Sequence, residues 1–411
     1  MIKFSLFLLY FITFLFSYSS DNILEKQTIK SNDWISGSFQ LVKNPQTSKI
    51  YLVTFCSSKT TNKLIIYDNQ GKVVFERDSL KGKVYDQMTF QYNGYLYYMA
   101  DKLYELRLSD FEIIPINIRN KGYRYVRMFN YKDKEYLLTD TGNEIHVYDL
   151  DNTKQVLKLK REEDTKATVV GYYEGSIIFN DKDNEIEVYD FIAEKSKWKY
   201  NTGSTGLYIL GIKVGSITDY ISGYKNDENS MYVMTIPGDL YKLNLQTGEL
   251  LLKKERFGGT GANEGLMPYF SLIDMNNDGI KDVVGGSVDN NVYCINGKDL
   301  SFLWKYDTDN EIQLPLSFYD INGDKIPEVF CVNDYDNNLF IFDGKTGKPL
   351  IDESVKDENY KSLIQTPVLL ADYSGNGLLD LLIMRNSREI RDYEMSDVKV
   401  PKDSIIYLPR Y

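Results

Sequence analysis

Histidine, cysteine, tryptophan and proline are all scarce in this chain of 411 residues. The sequence contains 1 histidine, 3 cysteines, 3 tryptophans and 10 prolines. Zinc sites built from several histidines are excluded, because only His146 is available. His146 stands within an alternation of apolar and polar residues, so we expect it to be an ordinary strand residue. The low proline content argues against a disordered chain.

Cysteine usage does not fit a disulfide scaffold. Domains held together by disulfides are typically short and rich in cysteine, whereas this long chain has only Cys56, Cys294 and Cys331. Cys294 and Cys331 stand in neighbouring repeats and could pair. Alternatively, the cysteines are free thiols buried on strands.

Basic clusters are also missing. The formal net charge is −11, and lysine and arginine do not form a long run. Nucleic-acid binding is therefore not expected, because contacts with phosphates require clustered basic side chains.

The one long hydrophobic run lies at the N-terminus. Lys3 precedes an apolar stretch from Phe4 to Phe16, and small residues follow up to Ser20. This order is typical of a secretory signal peptide, so we expect residues 1–20 to be a signal and the remaining chain to lack a membrane span. The alternative is an uncleaved anchor, although the run is shorter than the roughly 20 residues of a spanning helix. The protein is therefore expected to be secreted, periplasmic or on the cell surface.

Aromatic residues are plentiful and recur in a repeated strand pattern. The sequence has 34 tyrosines and 20 phenylalanines, which favours β structure. Seven times, an apolar strand ends near Asp or Asn, and a turn and a second strand follow. The aligned strand ends are Tyr67, Leu106, Tyr148, Tyr189, Leu243, Ile295 and Phe342. Their spacing fits four-stranded propeller blades, whose repeats span about 40 to 50 residues.

These repeats predict an all-β fold, a single β-propeller of four-stranded antiparallel blades. Seven repeats are present and Ile364–Ile390 supplies part of an eighth, so seven or eight blades both agree with the sequence. Trp34–Val42 is expected to complete the last blade and close the ring, which would remove exposed sheet edges. No stretch rich in Pro, Gly or Ser divides the chain, so we expect one domain over residues 21–411.

Three acidic loops of nine residues occur in the C-terminal part of the chain. They begin at Asp274, Asp320 and Asp372, with oxygen-bearing side chains at positions 1, 3, 5 and 9. Position 6 is glycine in the first and third loops and Lys325 in the second. Calcium takes six to eight oxygen ligands, and this spacing is typical of a calcium loop. An EF-hand is excluded because its bidentate Glu at position 12 is replaced by Gly285, Cys331 and Ile383.

The predicted calcium ligands are side-chain oxygens, joined by a backbone carbonyl in the first two loops. They are Asp274, Asn276, Asp278, the Ile280 carbonyl and Asp282 in the first loop, Asp320, Asn322, Asp324, the Ile326 carbonyl and Glu328 in the second, and Asp372, Ser374, Asn376 and Asp380 in the third. The carboxylate counts predict the weakest binding in the third loop. Two or three structural ions are expected, because a saturated loop has no open position at which to activate water. The alternative is a turn held by Asp and Asn alone, without metal.

These loops resemble the FG-GAP calcium loops of integrin-type β-propellers. The resemblance spans about residues 265–390 and includes Phe270–Ile273 before the first loop. A weaker resemblance, carried by turns that contain Thr-Gly, is to quinoprotein-like (PQQ-like) propellers. In that family a tryptophan docks each blade. Trp198 and Trp304 could serve here, whereas other repeats have Leu251 and Ile351, so a quinone cofactor is not expected.

The resemblances imply a non-catalytic binding or scaffold protein whose propeller faces contact a protein or glycan partner. Calcium would stabilise the turns of this scaffold. Two alternatives stay open. One is a propeller enzyme, either a polysaccharide lyase or a quinoprotein dehydrogenase. The other is a scaffold similar to the outer-membrane assembly factors of bacteria, which the quinoprotein-like family includes.

Overall fold

The computed structural model describes most of the chain, and its regular structure is β throughout. The described residues are 23–31, 34–57, 62–84, 88–162, 170–209, 212–255, 269–333, 338–354, 367–386 and 388–407. These ranges contain 35 strands and no α-helix, which confirms the all-β class. They therefore hold no helix that is long and apolar enough to span a membrane. The predicted signal peptide lies outside them.

The strands form eight antiparallel blades, and in the first seven of them spatial order follows chain order. Blade 1 comprises β2 (Trp34–Lys43), β3 (Ile50–Ser57), β4 (Asn62–Tyr67) and β5 (Val73–Arg77), and blade 2 comprises β6 (Thr89–Tyr92), β7 (Tyr95–Met99), β8 (Lys102–Leu106) and β9 (Ile113–Arg119). Blade 3 comprises β10 (Tyr125–Tyr131), β11 (Lys134–Asp140), β12 (Glu144–Asp149) and β13 (Lys154–Lys160), and blade 4 comprises β14 (Val170–Tyr173), β15 (Ser176–Lys182), β16 (Glu185–Asp190) and β17 (Lys195–Asn201).

A two-stranded hairpin of β18 (Ser204–Ile209) and β19 (Ile212–Thr218) precedes blade 5. Blade 5 comprises β20 (Ile221–Asn226), β21 (Ser230–Thr235), β22 (Leu240–Asn244) and β23 (Leu250–Lys254), and blade 6 comprises β24 (Ser271–Ile273), β25 (Asp282–Gly286), β26 (Asn291–Ile295) and β27 (Phe302–Asp307). Blade 7 comprises β28 (Ser317–Tyr319), β29 (Glu328–Val332), β30 (Asn338–Phe342) and β31 (Pro349–Ser354). Blade 8 comprises β32 (Leu369–Ala371), β33 (Leu378–Asn386), β34 (Glu389–Lys399) and β1 (Ile23–Lys30), and β35 (Ile405–Tyr407) pairs with β32.

The third strand of the first seven blades carries the repeat seen in the sequence. The seven aligned residues from Tyr67 to Phe342 lie at the last or penultimate position of β4, β8, β12, β16, β22, β26 and β30. These strands are apolar because neighbouring blades pack on their faces, and β12, for example, is buried from Ile145 to Asp149. The repeat therefore predicted the blades correctly, and the structure resolves their number as eight.

The ring closes through β1 rather than through the segment expected from the sequence. β1 pairs antiparallel with β34, from Ile23 opposite Met395 to Lys30 opposite Glu389. The prediction that Trp34–Val42 completes the last blade is wrong, because β2 pairs with β3 as the first strand of blade 1. The hairpin between β2 and β3 closes a short loop, which costs less entropy than pairing with a strand at the far end of the chain.

An inserted hairpin lengthens the repeat between blades 4 and 5. Tyr189 and Leu243 stand on the third strands of blades 4 and 5, and β18 and β19 lie between these blades. Within the described part of the chain, these two strands pair with each other and with no blade. The extra residues therefore form a separate feature and do not lengthen a blade.

A β-bulge recurs between the third and fourth strands of six blades. It lies at Ile66/Tyr67, Val147/Tyr148, Val188/Tyr189, Lys242/Leu243, Cys294/Ile295 and Ile341/Phe342. The partner opposite the first residue of each pair is, in the same order, Phe75, Leu157, Trp198, Leu252, Trp304 and Ile351. Ile351 thus occupies the tryptophan position in blade 7, and in blade 5 it is Leu252, not Leu251, that does so.

Both of the tryptophans expected to dock blades do so. The Trp198 indole N–H donates to the Leu245 carbonyl of the next blade at 3.1 Å, and the Trp304 N–H donates to the Gly344 carbonyl at 2.7 Å. Each indole ring also lies against a glycine in the turn that carries the accepting carbonyl. The glycine is Gly248 for Trp198 and Gly347 for Trp304. A buried indole with a satisfied N–H therefore links blade 4 to blade 5 and blade 6 to blade 7.

The hydrophobic core is divided into clusters between adjacent blades. The cluster between blades 6 and 7 contains both Cys294 and Cys331, together with Trp304 and Phe342. All three cysteines are buried and none forms a disulfide, so the possible pairing of Cys294 with Cys331 is not formed. Burial raises the pKa of both thiols. These cysteines act as small apolar residues in the packing.

Candidate metal centre

The three acidic loops occupy equivalent places in consecutive blades. Each connects the first strand of its blade to the second, from β24 to β25, from β28 to β29 and from β32 to β33. In a meandering antiparallel blade, this connection leaves the same end of the sheet as the turn between the third and fourth strands. The loops therefore share one face of the propeller, and the connections between blades lie on the opposite face.

The backbone conformation is the same in all three loops. Positions 4 and 6 are left-handed in each, with φ values of 60° and 82° at Asn277 and Gly279, 81° and 73° at Gly323 and Lys325, and 75° and 83° at Gly375 and Gly377. Glycine adopts this conformation without strain and asparagine tolerates it, whereas lysine does not favour it. The departure noted at Lys325 in the sequence is therefore a strained residue in an otherwise regular loop.

The position-1 aspartate holds the turn closed. Its carboxylate accepts a hydrogen bond from the position-6 amide, at 2.9 Å for Asp274, 2.9 Å for Asp320 and 3.0 Å for Asp372. The position-5 side chains Asp278, Asp324 and Asn376 each accept from the amide two residues later, at 2.8, 2.8 and 2.9 Å. In the first two loops that amide belongs to Ile280 or Ile326, the predicted carbonyl ligands. The predicted ligands of each loop therefore do come together around one turn.

The position-9 acid is buried beneath its loop. In the first loop, Asp282 accepts from the Met275 amide at 2.8 Å and, through its other oxygen, from the Gly297 amide at 2.9 Å. In the second, Glu328 accepts from the Ile321 amide at 2.7 Å and from the Asn322 side chain at 2.6 Å. Both carboxylates therefore have a donor for each oxygen.

The third loop is built differently. Asp380 accepts from the Ser374 amide at 2.7 Å through Oδ2. Its Oδ1 and the Ser374 hydroxyl are both buried. An interaction between the Ser374 hydroxyl and the Asp380 carboxylate opposes the rise in the pKa of Asp380 that burial causes. The Asn376 amide group donates to Glu394 of β34. The loop motif did not point to Glu394, because only the pairing of β33 with β34 brings it beside Asp380.

Burial raises the pKa of every position-9 acid. The pKa of Asp282 is raised, that of Glu328 is raised to about 7 and that of Asp380 to about 6. Repulsion from the other loop carboxylates adds to the effect, for example from Asp274 and Asp278 on Asp282. A cation placed among these carboxylates would favour their ionised forms.

The donor set of the loops fits calcium better than a softer metal. Each loop offers carboxylate, amide or hydroxyl oxygens, and none contains histidine or cysteine. None of the loops brings three carboxylates within 4.8 Å of one another. Among the residues that the structure describes, such a group is formed by Glu162, Asp181 and Glu185 instead. Calcium in a loop would therefore depend on amide and carbonyl oxygens beside the carboxylates.

The carboxylate group in blade 4 surrounds a lysine. Lys199 Nζ lies 2.7 Å from Asp181, 3.3 Å from Glu185 and 4.0 Å from Glu162. Burial lowers the pKa of Lys199, but hydrogen bonds to Asp181 and Glu187 outweigh it, and the pKa is raised. Lys199, together with Lys182, which lies 2.7 Å from Glu162, therefore offsets part of the negative charge of this cluster. Sequence spacing gave no signal for it, because its members come from three separate elements.

A cavity of about 650 Å³ opens on the face opposite the acidic loops. Its lining includes Lys121, Thr141, Asn143, Glu144, His146, Lys160, Arg161 and Glu162, from connections between blades 2, 3 and 4 and the turn between β11 and β12. His146 lies in its wall with Nε2 3.0 Å from Glu144, and burial lowers the pKa of His146. Arg161 is buried and paired with Asp140. The cavity is therefore polar, with charges of both signs.

A family model supports the loop resemblance over part of the chain. The model described as FG-GAP-like repeat matches residues 320–383. This range contains the second and third loops and the strands between them. The first loop, which begins at Asp274, lies before the matched range.

Solved structures support the fold. The crystal structure of the computationally designed Ika8 protein is similar with a TM-score of 0.59 and 12% identity, over 90% of this chain and 99% of that chain. The crystal structure of BamB from Moraxella catarrhalis, a PQQ-like propeller, is similar with a TM-score of 0.53 and 12% identity, over 90% of this chain and 97% of that chain. No curated protein matches the sequence. At this identity, the likeness concerns the propeller fold alone.

Proposed function

We propose that this chain is an exported, non-catalytic β-propeller that binds a protein or glycan partner and is stabilised by calcium. The observation that carries the proposal is the placement of two features on opposite faces. Three matched acidic loops lie on one face, and a polar cavity of about 650 Å³ lies on the other. One face would bind metal for stability, and the other face would bind the partner. Export is supported by the apolar N-terminal stretch in residues 1–20.

Calcium would act on stability and would take no part in a reaction. The first loop would hold an ion through Asp274, Asn276, Asp278, the Ile280 carbonyl and Asp282, and the second through Asp320, Asn322, Asp324, the Ile326 carbonyl and Glu328. The third would use Asp372, Ser374, Asn376 and Asp380. Bound calcium supplies positive charge among the crowded carboxylates and links two strands of one blade. Because the ion binds the folded state, it raises the free energy of unfolding by mass action.

The calcium part of the proposal is tested by calorimetric titration of the mature chain with CaCl₂. Two or three ions are expected to bind, and chelation is expected to lower the melting temperature. Asp278→Ala should abolish one site, while Asp307→Ala, which removes an exposed aspartate from the end of β27 in the same blade, should leave the number of sites unchanged. A titration without heat and a melting temperature unaffected by chelator would reduce the loops to metal-free turns.

The partner would contact the face that carries the cavity. Its rim presents the exposed Lys121 and Lys160 near Glu144 and Glu162, so it combines positive groups with hydrogen-bond acceptors. This combination suits a polar partner, such as a glycan or a charged protein loop. The cavity volume lies in the range of roughly 300–1,000 Å³ that is typical of ligand pockets, although most such pockets are lined by apolar side chains and this one is polar.

Binding is tested with a glycan array and an immobilised panel of extracellular proteins in calcium buffer. Lys121→Glu combined with Lys160→Glu should weaken an identified interaction at least tenfold. Lys195→Glu, on the opposite face of blade 4, is the control and should leave affinity unchanged. Equal losses in both variants would place the partner elsewhere. Cleavage of acidic polysaccharides or quinone-dependent dye reduction by the pure chain would favour an enzyme instead.

A further inference from the structure

We propose that the cavity of about 650 Å³ binds an anionic sugar, whose negative charge is a carboxylate or a sulfate group. Lys121 and Lys160 would pair with the negative groups, and Asn143 and Glu144 would form hydrogen bonds with the sugar hydroxyls. This inference rests on the proposed function of the cavity face, and it narrows the partner at that face from a protein or glycan to an acidic glycan.

Arg161 adds no uncompensated charge to the cavity, although it lies in the wall. It is buried, and its guanidinium group donates to both carboxylate oxygens of Asp140. Its remaining N–H groups donate to the Asn180 carbonyl at 2.6 Å, the Gly142 carbonyl at 3.0 Å and the Asn180 side chain at 3.4 Å. Arg161 therefore fixes the wall and has no donor left for a ligand.

Both acids of the lining are offset by lysines that lie outside it. Glu144 Oε1 lies 2.7 Å from Lys158 Nζ, and its Oε2 lies 3.0 Å from Nε2 of His146. Glu162 Oε2 lies 2.7 Å from Lys182 Nζ. Neither Lys158 nor Lys182 belongs to the lining of the cavity. The two acids therefore add little net negative charge to the space that a ligand would occupy.

The two lysines of the lining, in contrast, are not offset. Lys121 donates to the neutral Gln155 side chain at 3.3 Å, and its Nζ lies 5.6 Å from the centre of the Tyr148 ring. Lys160 is exposed at the end of β13. Within the described part of the chain, neither lysine forms an ion pair. The cavity is therefore locally positive in a chain with a formal net charge of −11, which favours an anionic ligand at this place.

The other groups of the lining favour a sugar over a peptide. The described lining contains no Phe, Tyr or Trp, so it does not fit an apolar side chain. Lys158 and His146 hold Glu144 in place, and each of its carboxylate oxygens can accept a further hydrogen bond. Asn143 is exposed and carries both a donor and an acceptor. Sugar hydroxyls can donate to Glu144, whereas the acidic side chains of a peptide offer only acceptors and would be repelled by it.

The first test compares acidic glycans with their own uncharged forms on one array. Oligosaccharides of glucuronate, galacturonate and mannuronate are printed beside the same chains after reduction of each carboxylate to a primary alcohol. Sulfated glycans are printed beside their desulfated forms. The unmodified protein should bind at least one charged form at least tenfold more tightly than its uncharged counterpart. The two sets of pairs distinguish a carboxylate from a sulfate.

The second test asks whether Lys121 and Lys160 supply the positive charge. Lys121→Gln combined with Lys160→Gln should weaken binding of the charged glycan at least tenfold, whereas Lys121→Arg combined with Lys160→Arg keeps both charges and should retain most of the affinity. Lys195→Gln removes an exposed lysine from the opposite face and should leave the affinity unchanged. Because all three lysines are exposed, the variants should fold, which their melting curves verify. Added salt should weaken binding to the unmodified protein, since exposed charges are screened.

The possible outcomes separate this inference from the proposed function. If a neutral glycan or a protein binds, no charged glycan is preferred and the double Gln variant loses binding, the anionic sugar is overturned while the cavity face remains the binding face. If a charged glycan binds the double Gln variant as tightly as the unmodified protein, it binds elsewhere and the inference fails. If neither glycans nor proteins bind in a way that depends on this face, the inference and the proposed function both fail.

Discussion

Lys325 adopts a backbone conformation that costs free energy for any residue with a Cβ atom. Its φ is 73°, whereas glycine occupies the same loop position at Gly279 and Gly377. The left-handed region costs an L-residue about 1–2 kcal/mol. The side chain points away from the loop core, because Lys325 is exposed. The second loop therefore carries strain that its position-6 residue does not offset by burial.

Lys325→Gly should stabilise the protein. The gain is expected to be about 1 kcal/mol, because the relief of strain exceeds the added entropy of glycine in the unfolded chain. Urea unfolding in calcium-free buffer measures it. Lys305→Gly, at an exposed position inside β27, should instead destabilise by about 1 kcal/mol. A loss of stability in both variants would mean that the loop relieves the strain at Lys325 in another way.

Glu328 predicts a pH dependence of the calcium-free protein. Burial raises its pKa from 4.5 to about 7, so the folded state binds this proton more tightly than the unfolded state does. The resulting stabilisation is fully present below about pH 4.5 and is lost as the pH rises to about 7. The free energy of unfolding, measured by urea titration, should therefore fall across this window, and Glu328→Gln should make the fall shallower.

Asp299, whose pKa is lowered in the folded state and not raised, gives the control for this pH profile. Hydrogen bonds from Ser301 lower the pKa of the exposed Asp299, so its contribution is lost as the pH falls. Asp299→Asn should therefore change the slope in the other direction, by a smaller amount because the group is exposed. A profile of Glu328→Gln that is superimposable on that of the unmodified chain would mean that Glu328 is ionised throughout.

At the scale of elements, the blades are joined by a bulge, an outer-strand side chain and a turn glycine. Trp304 of β27 stands opposite Cys294, at the bulge of blade 6, and its ring lies against Gly347 in blade 7. Trp198 and Gly248 repeat this contact between blades 4 and 5, and Ile29 of β1 and Gly71 repeat it between blades 8 and 1. All three glycines have positive φ values. The turn must therefore be both left-handed and free of a side chain.

Gly347→Ala should destabilise the contact between blades 6 and 7. A Cβ atom at this position would lie 2.5 Å from the Trp304 ring, in addition to the cost of φ +68°. Overpacking costs about 1–3 kcal/mol and the left-handed conformation about 1–2 kcal/mol. A total loss of about 2–5 kcal/mol is expected in urea unfolding.

Gly203→Ala is the matched control for that substitution. Gly203 has φ +83° but no atom within 4 Å of its added Cβ, so it should lose only the conformational part, about 1–2 kcal/mol. The difference between the two variants measures the packing of Trp304. Equal losses would mean that the indole moves aside at no cost.

Local patterns were predictable from the sequence, and long-range pairing was not. The third strands, the bends at the acidic loops and the docking by Trp198 and Trp304 all follow from residues close together in the chain. Glu394, which accepts a hydrogen bond from Asn376 of the third loop, was missed, because only the register of β34 against β33 places it beside Asp380. Ring closure was assigned to the wrong strand for a similar reason. Nothing local in β1 or β2 states which of them pairs with a strand more than 350 residues away.

At the scale of the whole molecule, ring closure depends on one short strand. β1 pairs with β34 over Ile23–Lys30, and β34 would otherwise present an open edge. Ile29 is buried in the cluster that joins blade 8 to blade 1. The Gln27 side chain also donates to the Asn69 carbonyl of blade 1 at 3.1 Å. The two chain ends are therefore held by hydrogen bonds and apolar contacts in a single place.

Removing residues 1–30 should lower the melting temperature substantially, on the order of 10 °C, since it abolishes a strand ladder and the burial of Ile29. The truncated chain should also associate with increasing concentration, because the free edge of β34 can pair with another copy. Removal of residues 1–22 alone leaves β1 intact and is the control. A synthetic peptide of residues 23–30 should restore part of the stability by strand addition. If the two truncations melt alike, the ring is held by contacts between blades and not by β1.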